Sequence, residues 1–275
     1  MKTMLVNKLN LLFEEQLNGW DLAKNNYDDL KQVKIKTLPV KGREYKIQFN
    51  PARILSSAAR VDVQSIRDRK CFLCSNHLPP EQKGITFKNK YTILVNPYPI
   101  FQRHLTIPTV KHTPQHIASR FGDMLDLTKQ LDDFIVFYNG PKCGASAPDH
   151  FHFQAGNKGF LPIEKNRDEY QSINIESNDK EEIIEHFRQI YLSLPLQPND
   201  TEPMMNILTW YESDRWVVCI FPRKKHRPSC YNAKGDANLL ISPAAVDLGG
   251  VFITPLEKDF LKITEEDIVR ILNEI

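Results

Sequence analysis

The sequence predicts an α+β chain in which two similar antiparallel-sheet halves with flanking helices form one pseudo-duplicated unit. Three observations carry this. VKIKTLPV and REYKIQF alternate apolar and polar residues as half-buried strands do, and further short strand-like runs follow as far as residue 223. Helical periodicity is confined to a few segments between and around them. Finally, IPTVKHTP (107–114) returns as FPRKKHRP (221–228), so that Pro108, Lys111, His112 and Pro114 correspond to Pro222, Lys225, His226 and Pro228. This echo is either coincidence or the trace of a duplication. The duplicated reading divides the chain into residues 1–160, a connecting segment 161–202, and a later half 203–275.

The elements follow in order. Leu5, Leu9, Leu12, Phe13, Leu17 and Trp20 recur at helical spacing with Lys and Glu between them, which predicts an amphipathic helix over 4–24. VKIKTLPV and REYKIQF, separated by Lys41 and Gly42, read as a hairpin. Further strands are expected at 91–96, 104–109, 134–139 and 150–155, with a helix from Ile117 to Leu131. The polar, proline-dotted stretch from Leu161 to Pro203 holds one helix, Lys180 to Leu192. MMNILTWYE and RWVVCIFPR make a second hairpin around Ser213 and Asp214, and Thr264 caps a final helix.

A chain of 275 residues can bury a substantial core. Its 36 basic and 34 acidic side chains leave a formal charge of +2, far from the excess of a dedicated nucleic-acid binder, so nucleic acid is not an expected partner. No apolar run reaches the ~18 residues of a membrane-spanning helix. The first 20 residues, interrupted by Lys8, Glu14 and Glu15, lack a signal-peptide pattern, so a cytoplasmic location is expected. Five cysteines, of which only Cys71 and Cys74 are closely spaced, argue against a disulfide framework.

The most informative stretch is NGPKCGASAPDHFHFQA, residues 139–155. In an extended strand His150, His152 and Gln154 share one face while Phe151 and Phe153 point into the core. The small residues Gly140, Gly144, Ala145 and Ser146 before it allow backbone N–H groups and a hydroxyl to approach an anion. A neutral imidazole can attack phosphorus to give a covalent intermediate. A His-x-His pair also suits a catalytic metal, which would make the chain a metal-dependent hydrolase; two half-buried, hydrogen-bonded histidines are the bland reading, and a non-catalytic nucleotide-binding protein is a further one. Cys71-x-x-Cys74 offers two thiolates to one tetrahedral Zn²⁺, with histidines as natural partners. The run Arg223, Lys224, Lys225, Arg227 is either a solvated strand end or a phosphate contact. Arg53 and Arg60 are similarly balanced between surface positions and base or phosphate contacts.

DRKCFLCSN, NPYPI, HLTIPTVKH, FYNGPKCGAS and HFHFQ together resemble the histidine-triad superfamily. Within it they resemble the branch of galactose-1-phosphate uridylyltransferases, dinucleoside-tetraphosphate phosphorylases and GDP-hexose phosphorylases. The terminal glutamine of His150-x-His152-x-Gln154 resembles the transferases and phosphorylases rather than the hydrolases. GASAPDHFHFQA with FLPIEK, and the late SPAAVDLGGVFITPLEKDF, look most like GDP-hexose phosphorylases; the similarity spans about residues 50–275. The resemblance implies a HIT-like fold and a nucleotidyltransferase of the phosphorylase type, using a nucleoside-diphosphate sugar, GDP-hexose favoured, with inorganic phosphate or a sugar phosphate. A dinucleoside-polyphosphate phosphorylase and a hexose-1-phosphate uridylyltransferase are the alternatives. It implies that His152 is the nucleophile, that Gln154 and Ser146 hold the phosphoryl group, and that Asn139, Gly144, Ala145, Arg53, Arg60, Arg223 and Lys225 contact substrate. Cys71, Cys74, His112 and His150 match the structural zinc ligands of the uridylyltransferases, with His104 a competing fourth ligand. The later half, with SPAAVDLGG set against the triad, would keep the fold and lose the nucleophile. The oligomeric state is open, a homodimer being one option.

Overall fold

The computed structural model describes residues 2–275. Eleven strands and nine helices follow one another among the described residues. The chain opens with α1 (Lys2–Gly19) and α2 (Asp21–Leu30), then the hairpin β1 (Lys34–Val40) and β2 (Arg43–Phe49). Two short helices, α3 (Ile54–Ser57) and α4 (Val63–Asp68), precede β3 (Gly84–Phe87), β4 (Tyr91–Val95) and β5 (His104–Pro108). Next come α5 (Phe121–Gln130), β6 (Phe134–Asn139) and β7 (His152–Asn157), then β8 (Ile173–Ser177), α6 (Lys180–Ser193), β9 (Met205–Glu212) and β10 (Arg215–Pro222). The chain ends with α7 (Ala245–Leu248), β11 (Val251–Thr254), α8 (Glu257–Lys262) and α9 (Glu265–Glu274). The architecture is the expected mixed α+β one, antiparallel sheet with flanking helices. No helix among the described residues is long and apolar enough to cross a membrane.

The helix expected over 4–24 is two helices. Trp20 adopts an extended backbone between them (φ −135°, ψ 99°) and buries its indole, so the chain bends where helical periodicity alone runs straight through.

Eight strands form one antiparallel sheet in the order β3-β4-β5-β7-β6-β9-β10-β8. A second sheet, β1-β2-β11, joins the first hairpin to a strand from the end of the chain, β11 running parallel to β2. Residues 161–202, read from sequence as a connector, contain β8, which pairs with β10, and α6, whose Ile183 and Phe187 join the core. The same connectivity occurs twice: β5-α5-β6-β7 assembles in the spatial order β5-β7-β6, and β8-α6-β9-β10 in the order β8-β10-β9. The two units meet where β6 pairs with β9. The echo seen in sequence joins different places in them, because IPTVKHTP ends β5 whereas FPRKKHRP ends β10, the counterpart of β7.

The sheet separates two cores. On one face Phe151, Phe153, Ile107, Tyr138 and Ile207 pack with α1, α5 and α6. On the other, Phe137, Leu208, Trp210, Val217, Cys219 and Phe221 pack beneath the small sheet and the C-terminal helices. His152 and Gln154 belong to this second face, since Gln154 stands opposite Phe137. The covering layer lies over β6, β9 and β10 and leaves the surface of β4, β5 and β7 open. On β10 the corresponding face carries Val217, Cys219 and Phe221, all buried, so the second unit packs the surface that the first leaves open. SPAAVDLGG does not align with the triad; it supplies the loop and α7 beside Asn139 and Gly144.

Candidate active site

The open part of the second face is the floor of a cleft of about 600 Å³. Leu94, Asn96, Thr106, His152 and Gln154 form the floor, Trp20 and Leu22 at the α1-α2 junction form one wall, and Phe72, Leu73, His77 and Pro79 form another. The segment from Arg53 to Arg69 closes the remaining side with Arg53, Ser56, Arg60 and Arg69. An apolar slot thus lies beside a cationic, hydroxyl-bearing edge. A smaller recess lined by Ser56, Ser57, Asn139, Gly144, Ser242 and Asp247 adjoins the cleft and shares Arg53, Ser146 and Gln154 with it.

His152 lies at the first residue of β7. Its Nδ1–H donates to the His150 carbonyl at 2.9 Å, so Nε2 carries the lone pair, with no protein hydrogen-bond partner among the described residues, in a residue that lines the cleft. Burial pulls its pKa down to about 4, partly opposed by the His150 carbonyl, so the ring is neutral at neutral pH. Gln154 is oriented by His104. The Ile100 N–H donates to His104 Nδ1 at 3.2 Å, so Nε2 carries the proton and donates to Gln154 Oε1 at 3.0 Å. The Gln154 NH₂ group is thereby turned away from its holder. His104, buried beside the Arg53 guanidinium and held down to about 3, is therefore the support of Gln154 and not a ligand near the thiols. Gly156 permits this packing, because a Cβ there would lie 2.3 Å from the Phe101 ring that rests against His104.

His150 does not share the face of His152. Pro148 and Asp149 turn the chain just before β7, and the His150 ring swings to the thiols, with Nδ1 3.2 Å from Cys71 Sγ and 3.6 Å from Cys74 Sγ. His112 Nδ1 is 3.2 Å from Cys74 Sγ. The donor atoms of Cys71, Cys74, His112 and His150 all lie within 4.8 Å of one another, the compass of one tetrahedral ion held by two thiolates and two imidazoles. The outer ring nitrogens are also engaged. His150 Nε2–H donates to the Thr109 carbonyl at 2.7 Å, and His112 Nε2 lies 3.8 Å from Asp149, which pairs with Arg69. Burial and the neighbouring Cys71 push the Cys74 thiol up to about 11, a load that a divalent cation between the sulfurs relieves. The donor set fits a Zn²⁺ ion. His150 belongs to this knuckle and His152 to the cleft, so the two do not chelate one catalytic ion.

The other expected residues divide. Ser146, Arg53 and Arg60 line the cleft. Arg53 Nη1 donates to the Tyr98 carbonyl at 2.8 Å, its Nε is buried without a partner, and burial lowers its pKa to about 10 against the pull of Asp247. Asn139 and Gly144 line the recess; Asn139 Oδ1 accepts from Asn206 Nδ2 at 2.8 Å and from the Ala245 N–H at 2.9 Å. Gly144 has φ +92°, and a Cβ there would meet that of Ala244 at 2.6 Å. The Ala145 side chain is buried. Arg223 and Lys225 are not in the cleft: Arg223 is buried and donates to Asn206, Pro243, Lys225 and His226, and Lys225 pairs with Glu274. Sequence reasoning missed Arg69, whose Nη1 is buried without a partner at the cleft, and Gln115, whose side chain grips the backbone of His152. For Arg69 the adjacent Cys71-x-x-Cys74 was an available signal; for Gln115 there was none.

A search of curated proteins finds no match. Among solved structures, yeast Ap4A phosphorylase Apa2 in complex with AMP is similar at TM-score 0.57 and 16% identity, over 94% of this chain and 96% of that one. The same yeast enzyme in complex with Ap4A is similar at TM-score 0.52 and 14% identity, over 92% of this chain and 97% of that one. Likeness at such identities establishes a shared fold. A family model described as "Domain of unknown function (DUF4922)" matches residues 12–157, the span that contains the knuckle, the cleft floor and the triad. That match covers more than half of the chain, which therefore belongs to the DUF4922 family and has the fold seen in yeast Ap4A phosphorylase.

Proposed function

We propose that this chain is a nucleotidyltransferase of the phosphorylase type, working through a nucleotidyl-histidine at His152. The observation that carries the reading is the His152 ring. Its Nδ1 proton is held by a carbonyl, its Nε2 is left with a free lone pair, and the residue lines a nucleotide-sized cleft. In the first displacement Nε2 attacks the α-phosphorus, the N–P bond forms, and the bond to the bridging oxygen breaks, so that a sugar phosphate or nucleotide leaves with the bonding pair. In the second, an oxygen of inorganic phosphate or of a sugar phosphate takes the nucleotidyl group and the imidazole returns to its neutral state. Gln154 and Ser146 supply fixed donors to the phosphoryl oxygens, and Arg53 and Arg60 supply charge. A neutral amide at position 154 holds the intermediate without acting as a titrating base for water, which favours transfer over hydrolysis.

A GDP-hexose donor is favoured by the resemblance of the GASAPDHFHFQA and FLPIEK segments. A dinucleoside polyphosphate is the second reading, supported by the whole-length likeness of fold to yeast Ap4A phosphorylase. Zn²⁺ in the knuckle would cross-link the segment at 71–74 to the ends of β5 and β7. The test incubates the protein with nucleoside-diphosphate sugars and dinucleoside polyphosphates, with and without phosphate, and locates trapped nucleotide by peptide mass. Label on His152, released by phosphate and abolished in His152→Ala, is expected. Turnover by a folded His152→Ala protein would remove the covalent mechanism.

A further inference from the structure

The ladder between β6 and β7 is interrupted at the nucleophile. Pairing runs from Phe134↔Asn157 to Phe137↔Gln154. Two residues further in the same register, Asn139 would stand opposite His152. These residues do not pair directly, because the side-chain amide of Gln115 sits between them. Gln115 Nε2 donates to the Asn139 carbonyl and to the His152 carbonyl, both at 3.0 Å, and Gln115 Oε1 accepts the His152 N–H at 2.9 Å. The residue is wholly buried, and its backbone N–H is tied to the Pro148 carbonyl at 3.0 Å. One side chain therefore supplies the hydrogen bonds that a neighbouring peptide group would make, and spaces the two strands by the width of an amide. Asn139 stays in register with Asn206 on β9 and gives its side chain to Asn206 and Ala245, while His152 remains in the floor of the cleft.

We infer that Gln115 is a positioning residue for the nucleophile, its amide setting the strand gap from which the His152 ring meets the α-phosphorus. The inference rests on the reading of His152 proposed above. A buried glutamine with each polar atom committed is costly to replace by an apolar group, because one N–H and two carbonyls lose their partners together. The apolar walls of the cleft and Arg53 lie on other segments and do not depend on it.

The test uses Gln115→Met, which keeps the length and volume of the side chain. The expected result is a fall of ~10²-fold in kcat and in the rate of nucleotidylation with KM for the donor little changed, the split that misplacing a reacting atom by about an ångström produces. A folded variant with wild-type kcat overturns the inference. If Gln115→Met does not melt cooperatively, Gln115→Glu, which keeps the acceptor for the His152 N–H and loses both donors, is read in the same way. Hydrogen exchange at the His152 amide of the wild-type protein decides independently of any variant: strong protection is expected, and exchange at the rate of an open loop overturns the inference. Absence of trapped nucleotide in the wild-type protein would instead remove the proposed function and leave the exchange test standing.

Discussion

His104 donates from Nε2 to Gln154 because its Nδ1 is already occupied by the Ile100 N–H, so one buried ring fixes the orientation of the glutamine amide at the cleft. His104→Phe keeps the ring volume and leaves the Ile100 N–H without a partner. It should cost about 1–3 kcal/mol of stability and slow nucleotidylation by releasing Gln154; unchanged turnover with lowered stability would make the histidine purely structural. A second buried group sets a pH dependence. Glu202 accepts from the Tyr138 hydroxyl and from the Ile117 N–H, and burial raises its pKa to about 7 despite both bonds. An unfolded glutamate titrates near about 4.3. Between these values the folded state holds a proton that the unfolded state has lost, so this group's contribution falls as pH rises through that window and is constant above it. The melting temperature of Glu202→Gln should therefore gain on that of the wild type from about pH 4.3 to about pH 7, and a difference that does not move with pH would show that the carboxyl does not titrate there.

At the scale of elements, β5 and β7 were legible from alternating side chains and β4 and β6 from short β-rich apolar runs, and the closing helix because Thr264 caps it with a bond from the Asp267 N–H. β3, β8 and β11 were not. β3 is only four residues long and opens on a glycine, β8 lies in a polar, proline-dotted stretch, and β11 is buried on both faces, so it has no alternation to read. The triad was read as one face because a strand was expected from residue 150. The turn at Pro148 and Asp149 delays β7 to His152 and hands His150 to the thiols. Cys71 and Cys74 were legible as metal ligands from their spacing, and His112 and His150 from the family resemblance alone, whereas the role of His104 follows from tertiary partners that no local pattern encodes. The knuckle joins a loop after α4, the end of β5 and the turn before β7, elements with little apolar burial between them beyond Cys71, Leu73 and Ala147. Chelation of bound Zn²⁺ should thus lower the melting temperature, by about 2–4 °C for each kcal/mol lost in a chain of this size, with activity lost in step with structure. Reversible loss of turnover at an unchanged melting temperature would point to a catalytic ion instead.

For the whole molecule, the repeated β-α-β-β units share one sheet, and neither is closed without the other. β6 has β9 as its outer neighbour, and β2 has β11, so residues before 160 present two strand edges that only later residues pair. Beneath them, Phe137 and Ile135 pack against Leu208, Trp210 and Val251 in one core drawn from both ends of the chain. A fragment of residues 1–160 would keep the triad and the knuckle while exposing unpaired backbone along β6 and the apolar face of the second core, the combination that drives edge-to-edge association. It should aggregate or melt without cooperativity, and co-expression with residues 161–275 should restore a soluble complex that forms the nucleotidyl-histidine. A soluble, cooperatively melting fragment that binds nucleotide alone would show instead that the first half is an independent domain and that the second serves only to cover it.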